Sequence, residues 1–94
     1  MSREEKLIEK LKAYKITPRE CYALLKILGY KENNKGKTSG SRIAYTHDNS
    51  KTIILHKAHG RDLMYRKECE NIIKILEDGG LIWSYYSIIN FWVL

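Results

Sequence analysis

The chain has 94 residues, 44% hydrophobic and 30% charged, which fits one soluble globular domain spanning 1–94 with a core of little reserve. Seventeen Lys and Arg against eleven Asp and Glu give a formal charge of +6, so an anionic partner (nucleic acid, an acidic protein or a membrane surface) competes with a merely basic domain. The charged opening Met1 to Lys12 predicts no signal peptide and a cytoplasmic protein, and the uncharged C-terminal LIWSYYSIINFWVL is expected to be too short for a membrane span.

In chain order, Leu7, Ile8 and Leu11 predict an amphipathic helix within Ser2 to Tyr14. Thr17-Pro18-Arg19-Glu20 then supplies an N-cap hydroxyl, a proline at the first helical position and a capping-box glutamate. The apolar residues Tyr22, Leu24, Leu25, Ile27 and Leu28 carry this second helix to a stop at Gly29. Tyr30 to Asn33 reads as a short strand, followed by a polar, basic run to Lys37.

Arg42 to His47 alternates, with Ile43 and Tyr45 on one face and Arg42, Ala44 and Thr46 on the other. Asp48-Asn49-Ser50-Lys51 is the expected turn and Thr52 to His56 the next strand. Three consecutive apolar residues leave its parity open: if Ile53 and Leu55 face the core, Ile54 and His56 join Arg42 on the open face. Tyr65 to Glu77 predicts a third helix, stopped by Asp78-Gly79-Gly80. Two helices, two or three antiparallel strands and a closing helix predict an α+β domain with helices on one sheet face. Cys21 and Cys69 sit in apolar helical patterns and read as buried, reduced thiols.

His47, His56 and His59 all lie in or just after the hairpin, among Lys35, Lys37, Arg42, Lys51, Lys57 and Arg61. An imidazole amid cations suits phosphodiester cleavage: it takes a 2′-OH proton while a guanidinium or ammonium stabilises charge on the phosphate. The plainer reading makes these histidines ordinary polar residues at strand ends. His56-x-x-His59 has no convincing third metal ligand apart from Asp62, Ser39 and Ser41 lack a nucleophile elbow, and Gly36 to Gly40 lacks the P-loop pattern. Lys31, Lys35, Lys37 and Arg42 instead adjoin Gly and Ser residues whose backbone can approach phosphates closely.

Gly40-Ser41 opening a strand, Tyr45-Thr46-His47 ending it, a second strand at Thr52 to Leu55 and then His59-Gly60-Arg61-Asp62-Leu63 resemble the HicA toxins. A closing helix ending in Gly80-Leu81 fits as well, so the resemblance spans about Leu24 to Ile82 of a core at about 17–82. It implies a fold like the double-stranded-RNA-binding domain (dsRBD-like), with a small antiparallel three-stranded sheet and helices on one face. It also implies an mRNA-cleaving or mRNA-binding toxin that needs no metal or cofactor, held by a HicB-like antitoxin. On that pattern His59 and His56 are the candidate catalytic residues, and Lys35, Lys37, Ser41, Arg42, Lys57 and Arg61 the candidate RNA contacts. His59 matches the family's later histidine better, because Gly60 and a charged pair follow it, and His56 reads as an extra. Two departures stand out. Arg42 occupies the position where the family carries its catalytic histidine, and arginine keeps its proton, so it can clamp a phosphate but not act as a base. A further helix also precedes Thr17. The readings left open are an active ribonuclease with a relocated base, a non-catalytic RNA binder, and a protein-interaction module. For the apolar extension 83–94 the expectation is packing on its own core or a homodimer contact, ahead of an antitoxin surface, with membrane contact last.

Overall fold

The computed structural model describes residues 2–33, 42–56 and 62–82, with His56 described as backbone. Helix α1 (Arg3–Lys12) starts where the Ser2 hydroxyl accepts the Glu5 N–H at 3.2 Å, and it buries Leu7 and Leu11. It ends one residue after Leu11, the last of the predicted apolar positions, and Tyr14 takes a left-handed conformation (φ 59°) that turns the chain toward α2.

Helix α2 (Pro18–Ile27) opens on the capping box read from the sequence. The Thr17 N–H donates to Glu20 Oε1 at 3.0 Å, and the Glu20 N–H donates to Thr17 Oγ1 at 3.2 Å. Glu20 also pairs with Lys10, so one carboxylate caps α2 and ties it to α1. The Lys10 contact, and next the Thr17 N–H, hold this carboxyl below the usual glutamate range. Cys21, Leu24 and Leu25 are buried on its inner face, and Gly29 (φ 98°) closes it.

The strands β1 (Lys31–Asn33), β2 (Arg42–His47) and β3 (Ser50–His56) form an antiparallel sheet in the order β1-β2-β3. β2 has the predicted limits. β3 begins two residues before the expected Thr52, so the turn is Asp48-Asn49 alone and Ser50 pairs with His47. Neither turn residue has a positive φ, so this is not the primed turn whose twist matches a hairpin. The mismatch is taken up at once: between the pairs Tyr45–Ile53 and His47–Ser50 the ladder slips, with Lys51 and Thr52 opposite Thr46. Helix α3 (Arg66–Asp78) follows and stops at Gly79 and Gly80 (φ 71°), as the sequence predicts.

The parity of β3 is now settled for its interior: Ile53 and Leu55 are buried and Ile54 is exposed. With Ile43 and Tyr45 of β2 they form the inner sheet face, against which Tyr22 of α2 stacks on Tyr45 at 5.5 Å between ring centroids. α3 packs beside β3, and α1 lies against both α2 and α3, so the helices form one layer over one sheet face. Cys69, Ile72 and Leu76 of α3 complete the core. Both cysteines are free and buried; burial above all, with Cys69 and Glu68 nearby, pushes the Cys21 thiol up to about 12. The Met64 N–H donates to the Ile16 carbonyl at 2.9 Å, binding the segment before α3 to the α1–α2 turn. Among the described residues no helix is long and apolar enough to cross a membrane. The expectations for 83–94 lie outside the described residues.

Candidate nucleic-acid interface

The hairpin of β2 and β3 has one anchored end and one open end. At the turn, His47 is held through both ring nitrogens. Nε2 lies 3.2 Å from the Leu28 carbonyl, and Nδ1 accepts the Asn49 N–H at 3.0 Å. A carbonyl can only accept and a backbone N–H can only donate, so the ring is the neutral tautomer with its proton on Nε2. The Tyr30 ring tilts against it at 5.0 Å between centroids. The Tyr30 hydroxyl contacts Ser50 Oγ at 3.0 Å and the Lys51 carbonyl at 3.1 Å. Two helix-ending glycines admit this turn. A Cβ on Gly29 would stand 3.1 Å from His47 Nε2, and one on Gly79 would stand 2.7 Å from Ser50 Oγ.

The open end is where the predicted site residues begin. Arg42 starts β2, is exposed, and has His56 as its register partner across the ladder. The next rung on the same face pairs Ala44 with Ile54, which is 55% exposed. Lys31 extends this face across β1 as the register partner of Thr46. The outer face of the sheet therefore sets an apolar strip between two cations. It suits an anionic ligand that also offers some apolar surface. Motif reasoning passes over Ile54; the signal that finds it is strand parity, once Ile53 and Leu55 are known to be buried.

Of the candidate site residues, Arg42 is described in full and His56 through its backbone. Lys35, Lys37, Ser41, Lys57, His59 and Arg61 lie outside the described residues. In the sequence they fall between β1 and β2 or just after β3. Residues 31–61 hold seven Lys and Arg against Glu32 and Asp48, so five of the chain's six net positive charges come from this third of the sequence. The histidine ending the Tyr-x-His motif is structural: His47 is spent on the turn, as Tyr45 beside it is spent on the core. Tyr45 is pushed up to about 12, chiefly by burial and then by nearby Glu32, so its hydroxyl stays protonated. Among the described residues no cluster of three or more His, Cys, Asp or Glu could hold a metal ion. No family model, no curated protein and no solved structure matches the chain.

Proposed function

We propose that this chain is a divergent HicA-like toxin that binds RNA at the open end of the β2–β3 hairpin and cuts it without a metal. The observation that carries the reading is the register partnership of Arg42 and His56. Arg42 stands where the family's pattern has a histidine, and here a histidine stands on the same rung of the neighbouring strand. Register partners lie about 5 Å apart at Cα, close enough for one phosphate to be shared. In this reading His56 or His59 takes the proton of a ribose 2′-OH. The 2′ oxygen attacks the adjacent phosphorus and the bond to the 5′ oxygen breaks. A 2′,3′-cyclic phosphate remains, and the departing 5′ oxygen takes a proton from the other histidine or from water. Arg42 binds the phosphate and stabilises the charge that develops on it.

Two further features support the family reading. The order α2-β1-β2-β3-α3, with helices over one sheet face, is what a dsRBD-like fold would show, α1 being the added N-terminal helix. The concentration of positive charge in 31–61 suits both RNA and an acidic HicB-like antitoxin competing for the same surface.

The test is cleavage of an end-labelled mRNA in the presence of a chelator, by the unaltered protein and by Arg42→Ala, His56→Ala and His59→Ala. The expected result is cyclic-phosphate ends, lost in at least one histidine variant, with weaker binding by Arg42→Ala. Salt-sensitive binding without cleavage by the unaltered protein would sink the ribonuclease and leave a non-catalytic RNA binder. Absent or salt-insensitive binding would sink the RNA reading altogether in favour of a protein-interaction module.

A further inference from the structure

We propose that His47 is a proton-operated catch on the β2–β3 turn, and that its protonation frees the turn while leaving the ring tied to α2. The inference stands on hydrogen-bond geometry and is independent of RNA. The Asn49 N–H donates to Nδ1 at 3.0 Å, a bond that exists only while Nδ1 carries a lone pair. Protonating Nδ1 sets an N–H against an N–H. The Nε2 contact with the Leu28 carbonyl has no such conflict, because Nε2 donates in both states and donates more strongly from the cation. The two bonds thus respond to one proton in opposite directions, and the turn is the side that gives way.

The surroundings bear on the imidazolium from every side. The Leu28 carbonyl belongs to the C-terminal end of α2, whose dipole favours a cation, and Asp48 in the turn does the same. Asp78 of α3 lines a shallow groove with Asn49, Ser50 and Lys51 on the far side of the turn. Lys51 of β3 opposes a cation, as does Lys31 of β1, whose register partner Thr46 precedes His47. Tyr30 packs against the ring, with its hydroxyl committed to Ser50 and Lys51. The Leu28 carbonyl at the end of α2 accepts from the ring in either state, and what protonation removes is the acceptor for Asn49.

The experiment is an NMR titration of the full chain labelled with ¹⁵N, from about pH 8 to about pH 5. It follows the His47 ring nitrogens and the Asn49 amide. At the upper end the ring spectrum should show Nε2 protonated and Nδ1 bare. The Asn49 amide resonance should then move with the same midpoint as the ring. Its protection from exchange should fall by up to about tenfold, the net worth of one such bond. His56→Gln and His59→Gln should leave that midpoint in place, and His47→Gln should abolish the Asn49 transition. The inference is overturned if Nδ1 carries the proton at the upper end, if the ring fails to titrate over the range, or if it titrates while the Asn49 amide stays still. Because the decisive comparison uses the unaltered chain, poor folding of His47→Gln does not rescue the idea.

Discussion

Replacing Gly29 by alanine places a methyl carbon 3.1 Å from His47 Nε2, on a backbone with φ 98° that an L side chain resists. Two costs follow and can be separated. The backbone strain is about 1–2 kcal/mol, the usual penalty for a non-glycine residue in left-handed space. The contact adds to it, because the ring has to move by a few tenths of an ångström while its other nitrogen is held by Asn49. Losing or weakening the Leu28 bond costs about 1 kcal/mol more. The single variant should therefore lose about 2–3 kcal/mol, and at about 4–8 °C per kcal/mol for a domain of this size its Tm should fall by about 10–20 °C. A double-mutant cycle with His47→Ala isolates the contact: with the ring gone, Gly29→Ala should cost the backbone strain alone. The assay is chemical denaturation followed by circular dichroism, giving a coupling energy of about 1 kcal/mol. Additivity within about 0.5 kcal/mol would refute the claim that Gly29 and the His47 ring are packed as one unit.

Glu20 has a depressed folded-state pKa, so its contribution to stability is fully present above the ordinary glutamate range and is lost as pH falls through the folded value. The Tm gap between the unaltered protein and Glu20→Gln should accordingly shrink on acidification, and a gap that widens would contradict the pairing with Lys10 and Thr17. Thr17→Ala should cost about 1 kcal/mol through the lost N-cap, measured by denaturant midpoint at constant slope. With its thiol pushed up to about 12 and fully buried, Cys21 should resist alkylation at about pH 8 until the chain unfolds. Rapid stoichiometric labelling of native protein at Cys21 would count against that. Arg42→Ala should leave stability within about 0.5 kcal/mol. It should also lower the slope of log binding constant against log salt on RNA by about one phosphate contact; an unchanged slope removes Arg42 from the interface.

Much of the fold was legible because it is written locally. The Thr17–Glu20 box needs four consecutive residues and forms as read. The alternation Ile43-Ala44-Tyr45 gave β2 its limits and its inner face. Where the reading failed, the deciding contacts come from far along the chain. Ser50 reads as a turn former, yet it enters β3 beside the Tyr30 hydroxyl, twenty residues earlier, and against Gly79 of α3. His47 looks like a titratable group available for chemistry until the Leu28 carbonyl, nineteen residues away, is seen to occupy it. Gly29 and Gly79 were readable as helix stops, while their second role of giving the hairpin turn room needs the packed structure. For the candidate site, charge pattern and motif named Arg42, and pairing register added that His56 stands opposite it. Ile54 needed only the parity of its neighbours.

The anchored turn has a mechanical consequence. From the His47–Ser50 rung to the Arg42–His56 rung is five residues along β2, about 17 Å at the rise of an antiparallel strand. The hairpin is held at both ends, by Tyr30, His47 and two glycines at the turn and by the buried rung of Ile43 and Leu55 next to Arg42. Movement at the turn is therefore not passed on as a swing of the far end. Substitutions around Gly29 or Gly79 act on the turn, while Arg42 keeps the place that the Ile43–Leu55 rung gives it. The last rung can in turn exchange one side chain for another while the core keeps the strands in position.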